Sequence, residues 1–147
     1  MASIEEFMAQ HHKACDARFA RAEAAAAEGA WEAVEREFGV YLKAMEQHFA
    51  MEESVLFPAF EERTGMDGGP TYVMREEHEQ MRQVLAAMQE AVRARDADEY
   101  LGQAETLNVL MQQHNIKEEQ VLYRMMDQHL AGEADALLAR FDESASA

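Results

Sequence analysis

Cysteine, proline and positive charge are all scarce in this 147-residue chain. The single cysteine, Cys15, cannot close an internal disulfide, which fits a reducing compartment, and the chain is read as cytoplasmic. Two prolines and no strand-like alternation argue against a β-rich fold. Thirteen basic residues stand against 29 acidic ones, a net charge of −16. Phosphate binding needs a basic face, so this balance argues against a nucleic-acid partner and favours soluble cations. No stretch approaches ~18 uninterrupted apolar residues, and the start MASIEEFMAQ has neither the basic nor the apolar region of a signal peptide. No membrane partner is expected.

What is abundant is helix-forming residues: Ala, Glu, Leu, Met, Gln and Arg dominate throughout. With 48% apolar residues, the chain can bury the core of one domain spanning 1–147. Breaks occur at Gly29, across 63–71, near Asp96 and at Gly132. They predict helices over about 3–28, 31–63, 71–95 and 98–130, a short C-terminal helix near 133–142, and a loose tail at 143–147. Pro58 is expected to end or kink the second helix near Phe57.

Two segments say nearly the same thing: HFAMEESVLF at 48–57 and HNIKEEQVLY at 114–123. His48 and His114 lie 66 positions apart, and so do His12 and His78, Glu52 and Glu118. Cys15 falls over Met81, Phe19 over Leu85 and Met45 over Met111, as duplicated architecture requires. The expected turns lie midway between the repeated positions. Gly29-Ala30 bisects His12 and His48, Gly65 bisects Glu52 and His78, and Asp96 bisects His78 and His114. Helices rising and falling through those turns bring all six side chains to one level of an all-α, up-down-up-down four-helix bundle.

Residues four apart share a helix face, so His48 with Glu52 and His114 with Glu118 each point one way. Apolar residues at Leu107, Met111, Leu122 and Met125, and at Tyr41, Met45 and Val55, mark that face as inward. Glu53 and Glu119 turn about 100° away and are read as supporting, capping or solvent-facing groups. Two carboxylates on an inward face would each cost several kcal/mol unless paired or ligated. A metal cluster removes that cost, because mixed His and Glu ligands from four helices suit two irons or manganeses. The candidate ligands are His12, His48, Glu52, His78, His114 and Glu118.

With HHKACDARF, HFAMEESVLFPAF, REEHEQM and HNIKEEQVLY in this order, the chain resembles the haemerythrin-like, or HHE cation-binding, domain over about residues 5–127. The resemblance implies two iron ions with a bridging oxo or hydroxo group, and Glu52 and Glu118 spanning both. It assigns His12 and His48 to one iron, His78 and His114 to the other. Oxygen-carrying members have a fifth histidine, four residues from the one corresponding to His78. Here those places hold Met74 and Arg82. Each iron then keeps one open place. His11 points away from His12 and is expected at the helix edge, and His129, about 16 Å along the helix from Glu118, is out of reach. Arg82 is either a pocket group or a solvent-exposed one.

The leading functional reading is a di-iron protein binding a small diatomic ligand, oxygen or nitric oxide, for sensing, storage or scavenging. The alternatives are a di-iron redox enzyme, turning over peroxide or repairing iron centres, and an iron-storing or structural bundle. Met8, Met45, Met51, Met81, Met111 and Cys15, all within a turn of a histidine ligand, are read as adaptable packing.

Overall fold

A computed structural model describes residues 3–141, and the predicted tail at 143–147 lies outside them. The described residues form an all-α bundle. Helix α1 runs Ile4–Ala27, α2 Trp31–Met51, α3 Phe57–Thr64, α4 Pro70–Ala94, α5 Ala97–Lys117, α6 Tyr123–His129 and α7 Ala134–Ala139. None of them is long and apolar enough to cross a membrane. The breaks are where the sequence puts them. Gly29 and Gly65 take left-handed φ values of 71° and 73°, which a residue without Cβ adopts readily. Arg95 does so too, at 53°, and the Asp96 carboxylate then caps α5 by accepting the Glu99 N–H at 3.1 Å. At the start of α1, Ser3 Oγ accepts the Glu6 N–H, while the Asp127 carboxylate accepts those of Ile4 and Glu5.

Paired side chains set the direction of the helices. Phe19 meets Tyr41 at 5.5 Å between ring centroids and His12 meets His48 at 4.7 Å, each pair straddling the Gly29 turn, so α1 and α2 are antiparallel. Across the Asp96 turn, His78 of α4 meets His114 of α5 at 4.9 Å. The core has two apolar parts. One, beside the Gly29 and Asp96 turns, includes Phe38, Tyr41, Leu85, Met88, Tyr100 and Leu107. The other, at the Gly65 end, includes Ile4, Leu56, Phe57, Phe60, Tyr123 and Met126. Burying each large side chain contributes about 1.5–3 kcal/mol. The six predicted His and Glu side chains are buried along with these two apolar parts. The short C-terminal helix occupies Ala134–Ala139, inside the expected span of about 133–142, whose residue 142 lies outside the described residues, and just beyond it Phe141 sets its ring edge on Phe7 and His11.

The helices also carry two local irregularities that a uniform helical pattern does not predict. A single wide turn with i→i+5 hydrogen bonds spans Glu52–Leu56, joining α2 to α3, and another spans Glu118–Leu122, joining α5 to α6. Each begins at a predicted glutamate ligand, the kind of place where such turns concentrate. Pro58 neither ends the helix nor causes the wide turn, since the turn at Glu118 has no proline after it. Its missing N–H would have been the next donor in the series, to the Glu53 carbonyl. Arg75 Nη1 reaches that oxygen at 3.3 Å instead.

Substituting Pro58→Ala should therefore preserve the wide turn and metal binding and change stability by no more than about 1 kcal/mol. Thermal unfolding and metal titration of the variant check this. Lost metal binding would mean that proline shapes the turn after all.

Candidate metal centre

The repeat places its side chains as its spacing predicts. His12 comes from α1, His48 from α2, His78 from α4, His114 from α5, and Glu52 and Glu118 from the first residues of the two wide turns. Glu52, His78 and Glu118 are 0% exposed, and the other three are also buried. Two groups of ligand atoms form, each with all its members within 4.8 Å of one another: Glu52, His78, His114 and Glu118, and His12, His48 and Glu118. Glu118 belongs to both.

The first of these groups has the clearest sign of an ion-binding site. Glu52 Oε1, His78 Nε2, His114 Nε2 and Glu118 Oε2 are all buried without a hydrogen-bond partner. His78 Nε2 lies 3.0 Å from Glu52 Oε1, and His114 Nε2 3.1 Å from Glu118 Oε2, close enough to bond but not aligned to do so. Buried polar atoms left unsatisfied are costly, and four facing a common point are arranged as ligands around a cation. The donor set fits a metal of the imidazole- and carboxylate-binding kind.

The opposite nitrogen of each imidazole is held from outside. With Nε2 aimed at the centre, Nδ1 is assigned the proton. His78 Nδ1 donates to Glu53 at 2.7 Å, His12 Nδ1 to Glu119 at 2.7 Å and His114 Nδ1 to Glu77 at 2.8 Å. The fourth, His48 Nδ1, donates to His11 Nδ1 at 3.0 Å. Glu53 and Glu119 are thus supporting groups, each orienting an imidazole of another helix. His11, expected at the helix edge, stacks on His48. Arg82 is neither a pocket group nor a solvent-exposed one: it forks onto Glu53 with two contacts of 2.9 Å and lies over the Phe49 ring, steadying His78 through Glu53. Met74 is buried in the Gly65-end part of the core, and His129 packs on Phe60, away from the site.

A family model described as the hemerythrin HHE cation binding domain matches residues 3–126. The chain belongs to the haemerythrin HHE cation-binding family. Neither the curated proteins nor the solved structures contain a match. The buried cluster that could hold a cation is built from groups that the sequence already names, whereas Glu77, Tyr123 and the role of His11 escaped it. The repeat interval was the available signal: Glu77 stands 66 positions after His11, and Tyr123 66 after Phe57.

Without metal, protons occupy the centre. Burial opposes charge on His12 and His78, but hydrogen bonds and the charges of surrounding glutamates prevail and raise both to about 9. Burial and the Glu118 charge push Glu52 up. Burial works against Glu118 as well, yet the His114 charge and hydrogen bonds hold it well below its ordinary 4.5. Outside, burial works against Glu53, but His78 and Arg82 hold it at about 2. Burial, with His48 and His12 nearby, lowers His11 to about 4, leaving it a neutral acceptor.

These shifts give the metal-free haemerythrin domain a defined pH window. The stability from His12 and His78 is complete below their unfolded 6.5 and disappears as pH rises through about 9, while that from Glu118 is present above 4.5 and disappears as pH falls. Chelator-treated protein should melt highest between 4.5 and 6.5 and progressively lower toward pH 9. A melting temperature unchanged between pH 6.5 and 9 would contradict this. Separately, Glu53→Gln or Glu77→Gln should weaken metal binding about 10–100-fold by loosening the imidazole each orients. Competition against a chelator measures it, and unchanged affinity would count against the supporting role.

Proposed function

We propose that this haemerythrin domain holds two iron ions between its six inward side chains and exposes them to a small neutral diatomic ligand, oxygen or nitric oxide. The observation that carries the reading is the pair of buried donor sets sharing Glu118, with four ligand atoms lacking any other partner. His12 and His48 supply nitrogens to one position, His78 and His114 to the other, and the Glu52 and Glu118 carboxylates span the two. Irons bound there would supply coordination places for the diatomic ligand and electrons for its reduction.

The protein's own part is to orient, enclose and select. Carboxylates and His11 fix the imidazole planes from outside. Phe49, 4.3 Å from the His78 ring, and Phe57, 5.8 Å from it, cover that imidazole with apolar surface. The core parts flanking the site are apolar, which favours an uncharged ligand over an anion. The single free cysteine, Cys15, is buried and fits cytoplasmic residence.

Redox turnover, of peroxide for example, is the second reading, and the residue at position 74 favours it. Neither place four residues from His78 holds the further histidine of oxygen carriers: one is the buried Met74 and the other is Arg82, which grips Glu53, so the position held by His78 and His114 would keep a coordination place for a second small molecule.

Purified protein should contain two irons per chain, and His48→Ala or Glu118→Ala should reduce that content with helicity retained. Reduced protein should change its optical spectrum on exposure to oxygen or nitric oxide. Iron content unchanged in both folded variants would remove the proposed ligand set. A spectrum indifferent to both gases would remove the diatomic-ligand role.

A further inference from the structure

The two halves of the repeat differ at one place inside the centre. Phe57 and Tyr123 occupy equivalent positions, five residues after Glu52 and Glu118, and each follows a wide turn whose backbone bond ties its N–H to that glutamate. In an α-helix, a residue five positions on points about 140° away from the first. The wider turn winds less per residue, so both rings swing toward the centre. The Phe57 ring lies 5.8 Å from that of His78, and the Tyr123 ring 5.7 Å from that of His12. Only the second ring carries a hydroxyl.

That hydroxyl lies among the donor atoms of one metal position. Tyr123 Oη is 2.8 Å from Glu118 Oε1, 2.6 Å from Glu52 Oε2, 3.2 Å from His12 Nε2 and 3.5 Å from His48 Nε2. His12 Nε2 is itself 3.1 Å from both His48 Nε2 and Glu118 Oε1. Donors about 2.1 Å from a shared metal ion, at right angles to one another, sit about 3 Å apart. The phenol oxygen is spaced like one more such donor. Its single proton serves one of the two carboxylates and its oxygen can accept from His12 Nε2, so in the empty cluster the phenol is held by hydrogen bonds at a place where a cation would find one more donor. The other metal position shows the contrast: all four of its ligand atoms, from Glu52, His78, His114 and Glu118, lack a partner, and Phe57 beside it has no atom to offer.

We propose that Tyr123 is a seventh protein ligand of the centre, its phenol oxygen completing the metal position held by His12 and His48. The inference rests on the di-iron reading above. As a ferric ion binds, the oxygen–metal bond replaces the O–H bond and the proton leaves to bulk water. The two positions then differ. The one with Tyr123 is filled by side chains and the group shared between the irons, and the one beside Phe57 retains the open place where a small ligand enters.

The test is the visible and resonance Raman spectrum of the full-length, iron-loaded ferric protein, with iron counted per chain. The native protein should show a phenolate-to-iron charge-transfer band whose Raman modes shift when tyrosine is ring-deuterated. Tyr41 and Tyr100 are buried in the other part of the core and Tyr72 is exposed, so the band reports Tyr123. Tyr123→Phe should abolish it and weaken iron binding at one position at least about 10-fold. Two irons per chain with no band in the native protein, or a band that survives in Tyr123→Phe, would overturn the ligand role and leave the di-iron reading intact. No bound iron would overturn both. The native spectrum and its isotope shift decide the matter even if the variant does not fold.

Discussion

The interaction on which the rest of this structure depends is between two buried carboxylates and whatever positive charge is placed beside them. Glu52 and Glu118 are fully buried, and their field raises the neighbouring imidazoles while Glu118 raises Glu52. Desolvating even one such group costs several kcal/mol without compensation. Protons on His12 and His78 compensate in the metal-free state, and cations do so more completely, because the four unpaired ligand atoms point at a shared space and not at one another. A polar layer of this kind is a weak source of stability when empty and a strong one when loaded.

The outer ring of partners follows from the same need. An imidazole that offers Nε2 to a cation must place its Nδ1 proton somewhere, and three of the four do so on carboxylates. Those carboxylates carry negative charge to the half-buried rim, where Arg82 steadies Glu53 and Lys117 steadies Glu77. His48 is the exception, backed by the neutral His11 ring, which in turn meets Phe141 at the C-terminal end of the described chain. The least anionic support and the tyrosine hydroxyl thus fall on the same side of the centre, the side of His12 and His48. The repeat presents two similar halves, and a few side chains make them chemically unequal.

The wide turns connect backbone to chemistry. In the second half, the turn moves the fifth residue after the ligand toward the core, and there it is tyrosine. In the first half the same geometry delivers a phenylalanine against His78. Identical backbone devices therefore present a donor to one position and an apolar wall to the other.

By itself, the sequence determined the helices, the turns between them and the six inward side chains. Each of these follows from local rules: Gly29, Gly65 and Asp96 stop helices by their own conformational or capping chemistry, and a four-residue spacing puts His48 with Glu52 and His114 with Glu118 on one face. It did not determine which side chains from other helices would touch that set. Glu77 reaching His114, His11 reaching His48 and Arg82 gripping Glu53 are contacts between residues 29–37 positions apart, and they depend on how the helices are rotated about their axes. The reach of Tyr123 was hidden for a different reason. A uniform winding of about 100° per residue points position 123 away from Glu118, and only a change from i→i+4 to i→i+5 hydrogen bonding turns it back. No local sequence rule foretold that change, and only the folded bundle shows it.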